Sequence, residues 1–344
     1  MRENTRDTRN TRDGRNARDG RNARSVQDTR DTRDTRDIHP STVKMTNLGQ
    51  AGPMPHYTSY DGTELAYRVL EARDGSAGPP LICLAGGPGR DAAYLGDLGG
   101  LDAHHTLLIP DGRGTGDSPP AADPIGYAFP GLAEDLEALR HHLDLARFPL
   151  LAHDAAAATA QAYAAAHPER LSRLILVSPG ARLQGELPED AREIFESRAD
   201  EPWWRDAYTA VRLLPDTTDL AETRRLLLQA APMAYGRWEE PQRAHAESEG
   251  EQLGPVARAG FWQGVDEAGR RAVLTRLHEV PCPVLAITGD RDAVTGMRAG
   301  ELVAESFPDG QARPLPGVGH YPWVDEPDLF RQVVEDFLAQ RPTH

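Results

Sequence analysis

With 344 residues the chain holds roughly two domains' worth of material, or one large domain with an insertion. Its two cysteines, Cys83 and Cys282, exclude a disulfide-stapled fold, and Cys83 sits in the apolar run PLICLA as a buried free thiol would. The formal charge of -15 is unevenly spread: residues 1–37 carry 11 arginines and 8 acids, leaving 27 basic and 45 acidic residues elsewhere, which excludes a nucleic-acid surface on that remainder.

No apolar stretch approaches a membrane span of about 18 residues, and the first forty positions lack the apolar core of a secretory signal. The chain therefore reads as soluble and cytoplasmic, with a small-molecule substrate, no nucleic-acid or membrane partner and no cofactor. Lys44 is the single lysine against 37 arginines, the bias of a GC-rich coding sequence. From Arg6 to Arg36 arginine recurs at nearly every third position with Asp, Thr, Asn and Gly between, as in TRDTRNTRDGRNARDG. Such a segment has nothing to bury, so residues 1–45 read as a disordered leader. An arginine-rich RNA-binding arm and a start at Met45 or Met54 are the alternatives.

After Pro55 short apolar runs alternate with helical stretches, the pattern of an α/β fold with a mainly parallel sheet. The expected strands are 65–70, 80–85, 106–110, 149–152, 174–178, 283–288 and 311–315. Continuous apolar runs of this kind suit strands covered on both faces. Helices are expected over 132–145, over 155–171 and over 328–341. The stretch 185–264 breaks the rhythm, has no clear strand and carries Trp203, Trp204, Tyr208, Tyr235, Trp238 and Trp262. It reads as a helical lid between two core segments, 54–184 and 265–344. Its aromatic residues either pack a core or line a pocket beneath the lid.

In an open parallel sheet reactive groups collect beyond the carboxyl ends of the strands. The turns there are AGGPGR (85–90), DGRGTGDS (111–118), HDAAAA (153–158), GDRDAVTG (289–296) and GVGHYPW (317–323). Together they resemble the α/β-hydrolase superfamily, in particular its proline iminopeptidase-like branch. That branch has a His-Gly-Gly-Pro-Gly loop, here Ala85 to Gly89. Its Asp-x-Arg-Gly-x-Gly-x-Ser loop is matched by Asp111, Arg113, Gly114, Gly116 and Ser118. The resemblance spans roughly residues 54–341 and implies a nucleophile, an acid and a histidine in that chain order.

The expected Gly-x-Ser-x-Gly elbow is Ala152, His153, Asp154, Ala155 and Ala156, with aspartate in place of serine. Ser118 precedes the elbow strand and Ser178 follows a later one, so neither stands in. The resemblance places the acid at Asp292 rather than Asp290, and the base at His320. A helix N-cap and a surface loop histidine are the plain alternatives for these two.

Carboxylate attack on an ester or amide gives a mixed anhydride at least as reactive as the bond broken. Attack on a saturated carbon instead gives a stable alkyl ester that water can hydrolyse. In that scheme His320, oriented by Asp292, activates the water, and the amides of Ala155 and of Gly86 or Gly87 hold the oxyanion. Epoxide hydrolases and haloalkane dehalogenases of the superfamily resemble the chain at this position, although they place tryptophan where Ala155 stands. Epoxide opening calls for acidic donors from the lid, for which Tyr208 and Tyr235 are candidates. Trp238, followed by Glu239 and Glu240, is a candidate wall for a substrate amino group, or part of a solvated helix face. The alternatives to an aspartate-nucleophile hydrolase are a non-hydrolytic cyclase, lyase or isomerase of natural-product biosynthesis, a non-catalytic binder, and a surviving peptidase or esterase. Deleting residues 1–45 is expected to leave the melting temperature and any activity unchanged. A fall of more than a few degrees would show that the leader docks on the body.

Overall fold

The structure, a computed structural model, describes residues 54–340, and the leader expectation for 1–45 lies outside the described residues. The chain runs β1 (His56–Thr58), β2 (Glu64–Leu70), β3 (Leu81–Leu84), β4 (Leu107–Pro110), α1 (Phe129–His142), β5 (Phe148–His153), α2 (Ala156–Ala166) and β6 (Leu171–Val177). A helical run follows: α3 (Asp190–Ser197), α4 (Trp204–Leu213), α5 (Leu220–Ala230), α6 (Glu240–Glu247), α7 (Glu249–Gln252), α8 (Pro255–Gly260) and α9 (Glu267–Leu277). The chain closes with β7 (Val284–Gly289), α10 (Arg298–Glu305), β8 (Gly310–Leu315), α11 (Pro322–Asp325) and α12 (Pro327–Ala339). Among the described residues, no helix is long and apolar enough to cross a membrane.

All seven expected strands are present, joined by the short, polar β1. The sheet order is β1-β2-β4-β3-β5-β6-β7-β8, with β2 antiparallel to β4 and the strands from β4 to β8 parallel. Alternate residues of each central strand feed opposite layers, which is why the runs are apolar throughout. Leu150 and Leu174 join Leu136 of α1, Ala160 of α2 and Leu277 of α9 in one cluster, whereas Leu151 and Ile175 join Phe330 and Val334 of α12 in the other. Helix α1 starts three residues earlier than expected, at Phe129, and α2 ends at Ala166, ahead of His167-Pro168.

Chain order reverses between β3 and β5, the position where ligands bind in sheets of this kind. The loop after β3 carries Gly86 and Gly87, and the turn after β5 carries Asp154, so the topology brings these segments together. Helices α3 to α8 run from 190 to 260 and are stitched to the loop after β3: Gly254 N donates to Gly89 O at 2.8 Å and Asp91 N to Gln252 O at 2.9 Å.

The Asp-x-Arg-Gly-x-Gly-x-Ser loop is a folding device. Ser118 Oγ donates to Asp111 O at 2.8 Å and accepts from Ala66 N at 3.0 Å, tying the loop to β2. Gly116 has φ 51°, and a side chain there would run into the Asp111 carboxylate. Arg113, fully buried, donates from Nε and Nη2 to the two oxygens of Asp135 at 2.8 and 2.6 Å, and from Nη1 to Asp61 at 2.6 Å. The hydrogen bond from Arg113 holds the Asp61 carboxyl well below the usual carboxylate range.

Arg113→Met is expected to cost ~3–5 kcal/mol in urea unfolding, because it leaves Asp135 buried without its counter-charge. The double variant Arg113→Met/Asp135→Leu should recover much of that loss. A single-variant cost below about 1 kcal/mol would assign the cluster no structural role.

Candidate active site

The elbow is built by β5 ending against two neighbours, with Ala152 paired to Leu84 of β3 and to Leu176 of β6. At Asp154 the backbone turns left-handed, φ 50°, while its N–H donates to Val177 O at 2.9 Å and its carbonyl accepts from Ala157 N at 3.0 Å. Aspartate tolerates this region better than most side chains, though not without strain. The flanking alanines, Ala152 and Ala156, need no positive φ. Small size is what the site demands of them. Ala152 and Ala156 are buried, and a Cβ on Gly86 would collide with the His153 carbonyl and lie 2.9 Å from Asp154 Cβ.

His320 and Asp292 meet here as the resemblance implies. His320 Nδ1–H donates to Asp292 Oδ2 at 2.9 Å, and His320 Nε2 lies 3.8 Å from Asp154 Oδ1. Asp292 is fully buried and accepts three further bonds, from Val294 N (2.8 Å), Thr295 N (3.1 Å) and Thr295 Oγ1 (2.8 Å). It thus organises its own turn as well as the imidazole. Asp290 accepts from Gly317 N at 2.7 Å instead. Burial opposes charge on both partners, but each favours the other's charged form. Against that burial, the charge and hydrogen bond of Asp292, with the charges of Asp154 and Glu249, hold His320 above the ordinary histidine value. The Asp292 carboxyl is correspondingly lowered against its own burial by the charge and hydrogen bond of His320.

The backbone of His320 is held as firmly as its ring. Its N–H donates to Ala234 O at 2.7 Å, and its carbonyl accepts from His153 Nε2 and from Ser178 Oγ, each at 3.0 Å. Burial first, and then the charge of His320, depress His153 well below the ordinary value, so it is neutral with one donor and one acceptor nitrogen. Its Nδ1 accepts from Tyr94 Oη at 2.7 Å, and Tyr94 Oη accepts from Gly86 N at 2.8 Å. An unbroken hydrogen-bonded chain therefore links the loop after β3 to the histidine loop. Sequence reasoning missed both: Tyr94 lies outside the motifs, and His153 fills an elbow position at which the motif specifies no residue.

Of the expected oxyanion donors, Gly87 N points at the carboxylate and donates to Asp154 Oδ2 at 2.9 Å. Its φ of 108°, and a Cβ position only 2.6 Å from Arg90 Cβ, make glycine necessary there. Gly86 is a correction: its amide is committed to Tyr94 and is not available to a substrate. The Ala155 amide donates to no acceptor among the described residues.

The lid tyrosines are a second correction. Tyr235 is buried, and its hydroxyl donates to His245 Nδ1 at 2.7 Å while His245 Nε2–H donates to Tyr94 O at 3.0 Å. Burial and the charge of Arg90 lower His245 to about 4, which keeps it an acceptor. Tyr208 is exposed and stacks on Trp204 at 5.0 Å. Trp238 packs on Tyr235 at 5.6 Å, and Glu239 and Glu240 are exposed at the start of α6. Arg90 is a further residue missed from sequence. It is 3% exposed and donates to Gln252 (2.9 Å), Ser248 (3.3 Å) and Tyr321 Oη (3.1 Å), with Glu249 at 4.0 Å. Among the described residues no group of three or more His, Cys, Asp or Glu could hold a metal ion.

These features agree with what comparison finds. Residues 79–327 match the family model of the α/β hydrolase fold. A proline iminopeptidase from Neisseria meningitidis is 25% identical over 318 residues, covering 83% of this chain and 97% of that protein. A cis-3-alkyl-4-alkyloxetan-2-one decarboxylase from Shewanella oneidensis is 31% identical over 131 residues, 37% of this chain and 39% of that one. The structure of an esterase from Rhodococcus sp. superposes with a TM-score of 0.64 at 23% identity, over 83% of this chain and 98% of the other, a likeness of fold. With strand order, elbow and buried histidine–carboxylate pair in agreement with a match over most of its length, the chain belongs to the α/β-hydrolase fold family.

Proposed function

We propose that the chain is a hydrolase in which Asp154 attacks a saturated, electrophilic carbon of a small substrate, an epoxide or a comparably strained oxygen ring, beneath a lid formed by α3 to α8. The observation that carries this reading is the division of labour between the two Asp154 oxygens. Oδ2 accepts from the Gly87 amide at 2.9 Å, while Oδ1 faces His320 Nε2 at 3.8 Å, too far for a direct bond between them. One oxygen is anchored where an oxyanion would form, and the other is left to react. The decarboxylase relative, whose name specifies a four-membered lactone, supports a strained ring as the electrophile.

In this reading Oδ1 attacks carbon, the ring C–O bond breaks, and its electron pair goes to the ring oxygen. Tyr235 Oη is bonded to His245 and Tyr208 is exposed, so His320, whose proton Asp292 and Asp154 stabilise, gives the oxygen its proton. Neutral His320 then takes a proton from water attacking the aspartyl carbonyl carbon. The amides of Gly87 and Ala155 hold the oxyanion, and its collapse expels the product oxygen, which takes the remaining carboxyl proton. The cycle returns Asp154 as carboxylate and His320 as imidazolium.

Single turnover of 1,2-epoxyhexane in ¹⁸O-water should place label on the peptide containing Asp154, and Asp154→Asn should abolish turnover. Label entering the diol directly in the first turnover would instead assign His320 as base to a free water, with no covalent intermediate.

The two roles of His320 give opposite pH dependences. Ester formation from the epoxide should slow as pH rises through the raised imidazole value, and ester hydrolysis should quicken over the same range. His320→Gln should slow epoxide ester formation by roughly 10²–10⁴-fold. It should spare attack on a β-lactone, whose ring oxygen leaves as carboxylate, and accumulate the lactone adduct on Asp154. Unchanged ester formation from the epoxide in His320→Gln, read by quenched-flow mass spectrometry, would remove the acid role.

A further inference from the structure

A cavity of about 80 Å³ adjoins the elbow, with walls that include Ala85, Leu136, Ala156, Ala257 and Phe261. Neither Asp154 nor His320 lines it. Ala85 precedes the Gly86-Gly87 pair, however, and Ala156 follows Asp154 by two residues, so the cavity abuts the two segments that hold the reacting group. At position 85 a histidine, as in the loop that the sequence resembles, would fill part of this space; the alanine methyl does not.

Two residues of the lining each carry a polar atom that is sealed from solvent and without a hydrogen-bond partner: Thr159 at Oγ1 and Asp111 at Oδ1. Thr159 is 4% exposed on α2, and Asp111, 1% exposed, has Arg68 Nη2 at 3.2 Å from that oxygen as its ion-pair contact. A buried hydroxyl with no partner is costly, and a ligand able to bond to it relieves that cost. An apolar pocket with a few convergent polar atoms is the usual form of a small-molecule subsite.

We infer that this cavity receives the apolar chain of the substrate and that an oxygen on that chain, hydroxyl or carbonyl, meets Thr159. An apolar cavity of about 150 Å³ holds benzene, and on that scale about 80 Å³ suits a segment of about three heavy atoms. The inference rests on Asp154 as the point of reaction only for the identity of the occupant; the cavity's capacity to bind such a chain stands apart from it.

The test uses primary alcohols from ethanol to octan-1-ol as probes, with ¹³C-methyl labels on alanine and threonine. Saturable shifts are expected at the methyls of Ala85, Ala156, Thr159 and Ala257, strongest near propan-1-ol or butan-1-ol. The isosteric Thr159→Val should weaken binding roughly threefold to tenfold, Ala85→Leu should abolish it, and Asp154→Asn should leave it intact. In the wild type the same alcohols should slow ester formation from 1,2-epoxyhexane. Absence of shifts, as for a cavity holding water only, or shifts indifferent to both Thr159→Val and Ala85→Leu, would overturn the inference, as would alcohol binding in the cavity that leaves ester formation unaffected. Alcohol binding in the expected pattern, with no adduct ever formed on Asp154, would support the cavity assignment and overturn the nucleophile reading.

Discussion

The site depends on how closely two backbones approach: the loop after β3 lies against the turn after β5 with no room for a side chain at Gly86. That contact puts the Gly87 amide on Asp154 and passes the Gly86 amide to Tyr94, from which hydrogen bonds continue through His153 to the carbonyl of His320. Carboxylate, Gly87 amide and imidazole are thereby placed by one continuous structure rather than by separate loops. Preorganisation of this kind, with partners fixed before any substrate arrives, is the largest single contribution that many hydrolytic sites make.

The electrostatics follow from the same enclosure. Asp292 and His320 are both buried, and each tolerates burial because the other is charged and because Asp292 has three further donors. Asp154 and Glu249 add negative charge around the imidazole, so its proton is retained more tightly than in an exposed histidine. Aspartate at the elbow thus acts on its neighbour: a neutral serine at that position would remove one of the charges that favour imidazolium.

Much of the framework was legible because it is written locally. Continuous apolar runs such as LILV could only be strands covered on both faces, and His167-Pro168 could only end a helix. Turns following strands marked the segments, and the family resemblance picked out Asp154, Asp292 and His320 within them. What escaped was of two kinds. His153, Tyr94 and Arg90 work through partners 59, 167 and 231 residues away in the chain, a distance no local pattern spans. Tyr235 and Gly86 were chosen for having a donor of the right type, but residue type does not say where the proton is already spent.

Helix α2 begins at the turn that carries Asp154 and is composed mostly of alanine, with Ala156, Ala157, Ala160 and Ala164 enclosed by strands and neighbouring helices. Methyl groups let the helix sit close against the sheet, and they leave substitution a single direction. A larger side chain on that face overfills a packed layer, whereas glycine or serine fits but weakens the helix. Sequence drift along α2 is therefore confined to the smallest residues, and chemical diversification of this scaffold must come from the loops that face the carboxylate rather than from the helix that presents it.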